Sequence, residues 1–583
     1  MQTIVEMIEE SCRRFAGKAA LRQKICDLWQ EISYATLWTA SERIALGLKE
    51  NGFKEGDHAA LLAPSSPRWV IAYLGILKAG GVVIPIDKEL KSIELRHILT
   101  DCDARVLFTD HPHLDTVLEI VDGLPSLCRI LTLNPPAQEG DATFAPLRAM
   151  VKGAAGEVWI QTFEALLHDG ELAPVLRRPS DIAVILYTSG TTGRAKGAML
   201  SHGNIVSNIR GAVAHLSLDE SIHTLSILPI NHVFEQVCGI LLPLSLGGTV
   251  SFCESLKKIG DNLAEVKPTF FLGVPALYRM LLDRIMKNIG AKPLSRLLFS
   301  FPVTRPLVTA KIRERFGTRT IFISGGAALD PAIAEGLDKL GLTLIQGYGI
   351  TETSPIISAE CAGQRRSGSV GRLLPGIEVR IDTPDEEMVG EILVRGPNVM
   401  QGYYRNPLAT AEALPDGWYR TGDLGRLDPD GFLTICGRAR NLIITPNGKN
   451  VYPEEVENEL LKSPYIAETM VYGRKVAPVT EEIHALIYPD PEALDELARK
   501  QGNGRLSAAE VDSLLRLEVH SACAGLANYK RVKTFTICGD EFPKTTTRKI
   551  KRFVVEADLL QDIGAPLPTG FAGPAAARQQ GGK

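Results

Sequence analysis

Apolar positions in the first third of the chain switch between two spacings. Tyr34 to Asn51 repeats its apolar residues at helical intervals and stops at Gly52, whereas His58–Ala63 is a short apolar run of strand length. Trp69–Lys78 returns to helical spacing and closes at Gly80-Gly81, and Val82–Ile86 and Arg105–Phe108 read as strands again. Such alternation predicts a largely parallel sheet covered by helices. Residues 134–156, rich in Pro, Ala and Gly, predict a surface excursion. Ile182–Leu186 is an apolar run of the kind buried on both faces, and Thr269–Leu272, Arg319–Ile323 and Thr343–Ile345 repeat it, with a helix at Pro331–Leu340. From Val370 to Gly437 apolar and polar positions alternate, as in Ile377–Ile381 and Glu391–Arg395, around the hairpin signal Asp428-Pro429-Asp430-Gly431. The expected organisation is α/β: a large domain over residues 1–438 containing a β-rich subdomain, a small α+β domain over 439–560, and a disordered tail over 561–583.

Several of these strands run into glycine. Ile182–Leu186 meets Tyr187-Thr188-Ser189-Gly190-Thr191-Thr192-Gly193-Arg194-Ala195-Lys196-Gly197, and the later strands meet Gly273-Val274-Pro275, Ser324-Gly325-Gly326-Ala327 and Gln346-Gly347-Tyr348-Gly349. Parallel strands present their carboxyl ends at one edge, where open α/β sheets bind ligands, so these four loops are expected to share a cleft. The first loop combines hydroxyls, glycines and a lysine, which suits phosphate oxygens. It is not a P-loop, because Lys196 follows Gly193 by three positions and Gly197 comes next. Ala198-Met199-Leu200 reads as a second strand, with a helix starting near Asn204.

Composition narrows the partners. A net charge of −4 and 45% hydrophobic residues describe an ordinary globular chain with no reason to bind nucleic acid. Ten scattered cysteines form no CxxC pair, so neither a zinc site nor a disulfide framework is indicated and a reducing, cytoplasmic setting fits. The start of the chain lacks a basic, apolar leader. The longest uncharged stretch, Gln236–Cys253, is split by Pro243 and Gly247-Gly248, which favours a buried helix and strand over a membrane span. Peripheral membrane contact is left open.

Tyr-Thr-Ser-Gly-Thr-Thr-Gly-x-x-Lys-Gly resembles the phosphate loop of the adenylate-forming enzymes, which include acyl-CoA synthetases, adenylation domains and luciferases. That likeness implies that Thr188, Ser189, Gly190, Thr191, Thr192, Gly193 and Lys196 hold ATP phosphates. Gly347-Tyr348-Gly349-Ile350-Thr351-Glu352 is a helix-start pattern when read alone, with Thr351 and Glu352 serving free amides. It is also similar to the family's Gly-Tyr-Gly-x-Thr-Glu, which implies Tyr348 on adenine and Glu352, with Thr188, on Mg²⁺. Gly325, Gly326, Gln346, Gly347, Gly349 and Thr351 join the nucleotide site on the same ground. Tyr419-Arg420-Thr421-Gly422-Asp423 resembles the ribose-binding segment, giving Asp423 that role with Arg438.

Gly437-Arg438-Ala439-Arg440 looks like the family's interdomain hinge, with Arg440 where Asp or Lys is usual. Phe542–Arg552 reads on its own as a solvated basic face or a patch for an anionic surface, but it lines up with Pro-Lys-Thr-x-x-Gly-Lys-Ile-x-Arg. Lys549 takes the catalytic position, and Arg548 stands in place of the glycine. A lysine there lowers the repulsion between a carboxylate and an α-phosphate. Leu228-Pro229-Ile230-Asn231-His232-Val233-Phe234-Glu235 is most similar to the long-chain fatty acyl-CoA synthetases, implying His232 as a gate or positioning residue. Taken together, the resemblance implies ATP-dependent joining of a fatty acid to coenzyme A through acyl-AMP. The alternatives are transfer to an acyl carrier protein and a non-catalytic nucleotide-binding regulator.

Overall fold

The computed structural model describes residues 2–133, 149–188, 195–477, 480–502, 504–545 and 549–556. It has the mixed α/β architecture expected from the sequence, in two units. The first comprises Met1–Arg380, Leu393–Thr421 and Leu427–Thr434; the second comprises Ile381–Ile392, Gly422–Arg426 and Ile435–Lys583.

Two large sheets build the first unit. In one, the parallel strands Thr343–Gly349, Ile321–Ser324, Phe270–Gly273, His223–Ser226, Thr249–Phe252 and Ala19–Ile25 lie side by side, with antiparallel strands at both edges. The other runs Lys196–Ser201, Ile182–Thr188, Val82–Pro85, His58–Leu62, Val106–Thr109, Arg129–Thr132, Glu157–Thr162, Ala149–Lys152. The loop after Ile182–Thr188 therefore springs from a different sheet from the other three glycine loops. Connectivity argues for convergence only among strands that share a sheet, so that part of the expectation needed another link, described below. The excursion also ends earlier than composition suggests, because Ala149–Lys152 pairs antiparallel with Glu157–Thr162.

Helix starts follow local chemistry. Pro67–Lys78 begins two residues before the apolar pattern does, because Ser66 accepts a hydrogen bond from the Trp69 amide and Pro67 occupies the first turn. Every residue of that helix except Arg68 is buried, so it serves both faces as core. The uncharged stretch near 236–253 resolves into a π-helix, Phe234–Leu241, one α-turn and the strand Thr249–Phe252. Among the described residues no helix is long and apolar enough to cross a membrane.

The strands Glu378–Asp382, Gly390–Arg395, Tyr419–Leu427 and Leu433–Arg438 form one sheet in chain order, and the division into units passes through this stretch. The second unit has its own core, in which Val456, Leu460, Val471, Ile487 and Leu515 pack together. Its sheet sets Ile466–Ala477 against Thr480–Pro489, with Thr534–Ile537 parallel to the latter. The segment 561–583 lies outside the described residues.

Candidate functional site

Strands Ile182–Thr188 and Lys196–Ser201 pair antiparallel, with Thr188 opposite Lys196. The two ends of the hydroxyl-rich turn are thus fixed side by side. Ser189, Gly190, Thr191, Thr192 and Gly193 lie outside the described residues. Beyond the hairpin, the Ser201 hydroxyl accepts from the Asn204 amide and starts a helix at His202.

The link to the other sheet is the segment Met400–Tyr404. Its backbone bonds to both sides: Met400 N donates to the Glu352 carbonyl at 2.8 Å, and Gln401 N to the Met199 carbonyl at 2.9 Å. Tyr404 N donates to the Gly197 carbonyl at 2.7 Å. Tyr403 then joins the two motifs through its side chain. Its hydroxyl donates to Glu352 Oε1 at 3.0 Å, and Lys196 Nζ stands 5.4 Å from its ring centroid. Burial, and then the charge of Glu352, pushes the Tyr403 hydroxyl pKa well up, so it stays a proton donor. Sequence reasoning missed Tyr403. The only cue was an aromatic pair after Gly402, outside any periodic run.

Gly273, Ser324 and Gln346 stand level across three neighbouring parallel strands, so the loops that follow them leave at one edge. Gly347-Tyr348-Gly349 is not loop, however. The strand Thr343–Gly349 runs through it, because Ile356–Ala359 folds back antiparallel and places Ser358 opposite Tyr348. A side chain on Gly349 would meet the Pro355 carbonyl at 1.9 Å. The expected helix start shrinks to one turn, Thr351–Thr353, where Ile350 N donates to Thr353 Oγ1 at 3.3 Å. Capping is therefore Thr353's task. Gln346 is held by Glu360, a second residue missed from sequence: Oε2 of Glu360 accepts from Gln346 N at 3.0 Å, and Oε1 from Arg366 N at 3.3 Å. Burial raises the pKa of Glu360, which these backbone amides partly offset.

Ser324-Gly325-Gly326 meets the π-helix. A Cβ on Gly325 would lie 3.0 Å from Phe234 Cζ, and Gly326 has φ +81°, so both positions call for glycine. Just before the π-helix, His232 is half-buried; burial lowers its pKa, against the opposing charge of Asp87, and keeps the imidazole neutral near pH 7. Glu235, inside the π-helix, is 1% exposed and its pKa is pushed up to about 8 by burial. Its Oε1 has no hydrogen-bond partner among the described residues.

The remaining site residues belong to the second unit. Arg438 Nε lies 2.6 Å from Oδ1 of Asp423, which is 4% exposed, so the two residues are paired. Arg440 follows in the turn Ala439–Asn441, and desolvation, then the charge of Arg438, lowers its pKa. Gly437 leaves room for Glu454, because a Cβ would lie 2.9 Å from Glu454 Oε2, while Asn441 Nδ2 donates to the other oxygen of Glu454 at 2.8 Å.

The basic segment divides by role. Lys544 pairs with Glu468, and Arg552 pairs with the half-buried Glu457. These two cations are anchors. Between them Lys549 is exposed, and its backbone closes a tight loop with Thr545: Thr545 N donates to the Lys549 carbonyl at 2.8 Å. Desolvation by its packed surroundings, then the charge of Arg438, lowers the ammonium pKa; Asp423 and Glu454 oppose the shift. Arg548 lies outside the described residues.

The sequence pattern of the family described as AMP-binding enzyme matches residues 8–404, well over half the chain. The chain belongs to the AMP-binding enzymes. This AMP-binding enzyme is 31% identical to the long-chain-fatty-acid–CoA ligase FadD15 of Mycobacterium bovis, over 93% of each chain. It is 30% identical to the long-chain-fatty-acid–CoA ligase ACSBG1 of Homo sapiens, over 84% of this chain and 71% of that one. Among solved structures, ATP-bound MatB from Rhodopseudomonas palustris is 27% identical with a TM-score of 0.75, covering 96% of this chain and 100% of its own. The anthranilate CoA ligase AuaEII, solved with anthranoyl-AMP, shares the fold at 24% identity and a TM-score of 0.77, over 96% and 98%.

Proposed function

We propose that this chain is an ATP-dependent fatty acid–CoA ligase that works in two half-reactions. In the first, a carboxylate oxygen attacks the α-phosphorus of ATP; the bond to the bridging oxygen breaks and pyrophosphate leaves, giving acyl-AMP. In the second, the coenzyme A thiol loses its proton and attacks the acyl carbonyl, and AMP departs. The observation that carries this reading is Tyr403, which ties Lys196 of the phosphate-suited turn to Glu352 of the Gly-Tyr-Gly-Ile-Thr-Glu segment.

In this reading Lys196 and the turn grip the β- and γ-phosphates, and the Asp423 carboxylate accepts from the ribose hydroxyls with Arg438 holding it in place. Tyr348 stacks on the base beside Gly347, where a Cβ would meet nothing closer than 3.6 Å, so packing alone does not demand glycine. Thr188 and Glu352 offer only oxygen donors, the chemistry Mg²⁺ takes, and would hold it; when bound it offsets phosphate charge. Lys549, its pKa already lowered, donates hydrogen bonds to the carboxylate and the α-phosphate as they approach. His232, neutral near pH 7, positions the acyl and thiol paths without adding charge. Arg440 is the pivot between the half-reactions. The setting in this reading is cytoplasmic.

Two half-reaction assays test this. Lys549→Ala lowers carboxylate-dependent ATP–pyrophosphate exchange by about 10²-fold or more, and leaves CoA-dependent consumption of supplied acyl-AMP within about threefold. Equal loss of both contradicts the role given to Lys549. Transfer to acyl carrier protein in place of CoA would redirect the acceptor, and absence of any exchange would favour a regulator.

A further inference from the structure

The crossover between strands Phe270–Gly273 and Ile321–Ser324 is far longer than a parallel pair needs. It holds three helices, Pro275–Gly290, Pro293–Ser300 and Arg305–Phe316. Their inner faces are accounted for: Phe299, Val308 and Ile312 pack against the core that includes Phe316 and Phe322. The outer faces are not. Leu294, Leu297, Phe301, Val303 and Leu307 are 68, 58, 57, 89 and 62% exposed. Leu294 and Leu297 are three apart on the helix Pro293–Ser300, and Phe301 follows directly at its C-terminal end. Seven of the twenty exposed large apolar side chains among the described residues fall within Met280–Leu307.

Charge is concentrated in the same place. From Arg279 to Arg319 the sequence has ten Arg or Lys and two acids, a local charge of +8 in a chain whose total is −4. Among the described residues no carboxylate lies within ion-pair distance of Lys292, Arg296 or Lys311. Apolar side chains that stand out between unpaired cations do not serve folding. They match a surface that is apolar within and anionic at its face.

We propose that the outer face of residues 280–311 docks on anionic phospholipid bilayers, its leucines and Phe301 entering the acyl boundary while Lys292, Arg296 and Lys311 meet lipid phosphates. Both attractions are present, which matters because either alone gives marginal, reversible binding. A second copy of the chain would bring +8 against +8, and an acidic protein leaves the exposed leucines unexplained. The proposal stands apart from the ligase reading, since docking needs no turnover.

The test is co-sedimentation of the full chain with phosphatidylcholine vesicles, with and without phosphatidylglycerol. Wild type is expected to bind the anionic vesicles about tenfold better than the neutral ones and to lose binding as salt is raised. Leu297→Glu/Phe301→Glu/Leu307→Glu and Lys292→Glu/Arg296→Glu/Lys311→Glu should each lose about tenfold, with octanoate-dependent AMP release in vesicle-free buffer unchanged as proof of folding. Equal binding to both vesicle types, binding unchanged in both variants, or a wild-type dimer that the leucine variant disperses would each overturn the proposal.

Discussion

Glu352 and Glu235 are both glutamates of the first unit, and their surroundings give them opposite characters. Glu352 is half-buried beside a turn, receives the Tyr403 hydroxyl, and shares that ring with Lys196. Glu235 is shut inside a π-helix, with one oxygen unsatisfied and its pKa pushed up to about 8. A carboxylate that must meet cations is kept near donors and solvent, whereas one walled in by apolar groups keeps its proton. The sequence places a Glu in two comparable motifs; packing alone separates their chemistry.

The largest effect expected on this contrast comes from Glu352→Ala, which should cut carboxylate-dependent ATP–pyrophosphate exchange by about 10²–10³-fold while leaving thermal stability nearly unchanged. Exchange that survives at wild-type level would remove Glu352 from the site. Next is Glu235→Gln. The folded pKa of Glu235 lies above its ordinary 4.5, so its contribution to stability is fully present below about pH 4.5 and is lost as pH rises toward about 8. Denaturant titrations across that window should show wild type falling by on the order of a few kcal/mol and the glutamine variant staying flat. Parallel pH profiles would mean that Glu235 titrates normally.

A smaller loss is expected from Gly239→Ala, because a Cβ there would lie 2.7 Å from Glu235 Cδ in a closed site. The cost should be about 1–3 kcal/mol of unfolding free energy, read from the same titrations. The smallest is Tyr403→Phe, which keeps the ring and removes the bond to Glu352. It should cost about 1 kcal/mol, a several-fold drop in exchange with stability intact.

Much of this is legible in the sequence. Periodicity identified His58–Leu62, Val82–Pro85, Ile321–Ser324 and the helix at Pro331 to within a residue or two, because each buries a continuous apolar face. The motifs also named partners that do meet, such as Asp423 and Arg438. Three things were hidden. The assignment of strands to two sheets depends on long-range pairing that no local pattern encodes. Gly347–Gly349 became strand because Ile356–Ala359 folds back onto it, although glycine locally favours a turn. Tyr403 and Glu360 were invisible because their roles come from what stands opposite them in space. Conversely, five cations near the C-terminal end looked alike in sequence, and only the ion pairs of Lys544 and Arg552 distinguish anchors from Lys549.

Tyr403 also acts as a spacer between opposite charges. With an ammonium over its ring and a carboxylate at its hydroxyl, it keeps Lys196 and Glu352 from closing on each other. Were the ring absent, the two could neutralise one another and neither would be available to an incoming anion or cation. Phenylalanine would preserve that insulation and alanine would abolish it, so the difference between those two substitutions isolates the benefit of keeping a lysine and a glutamate apart.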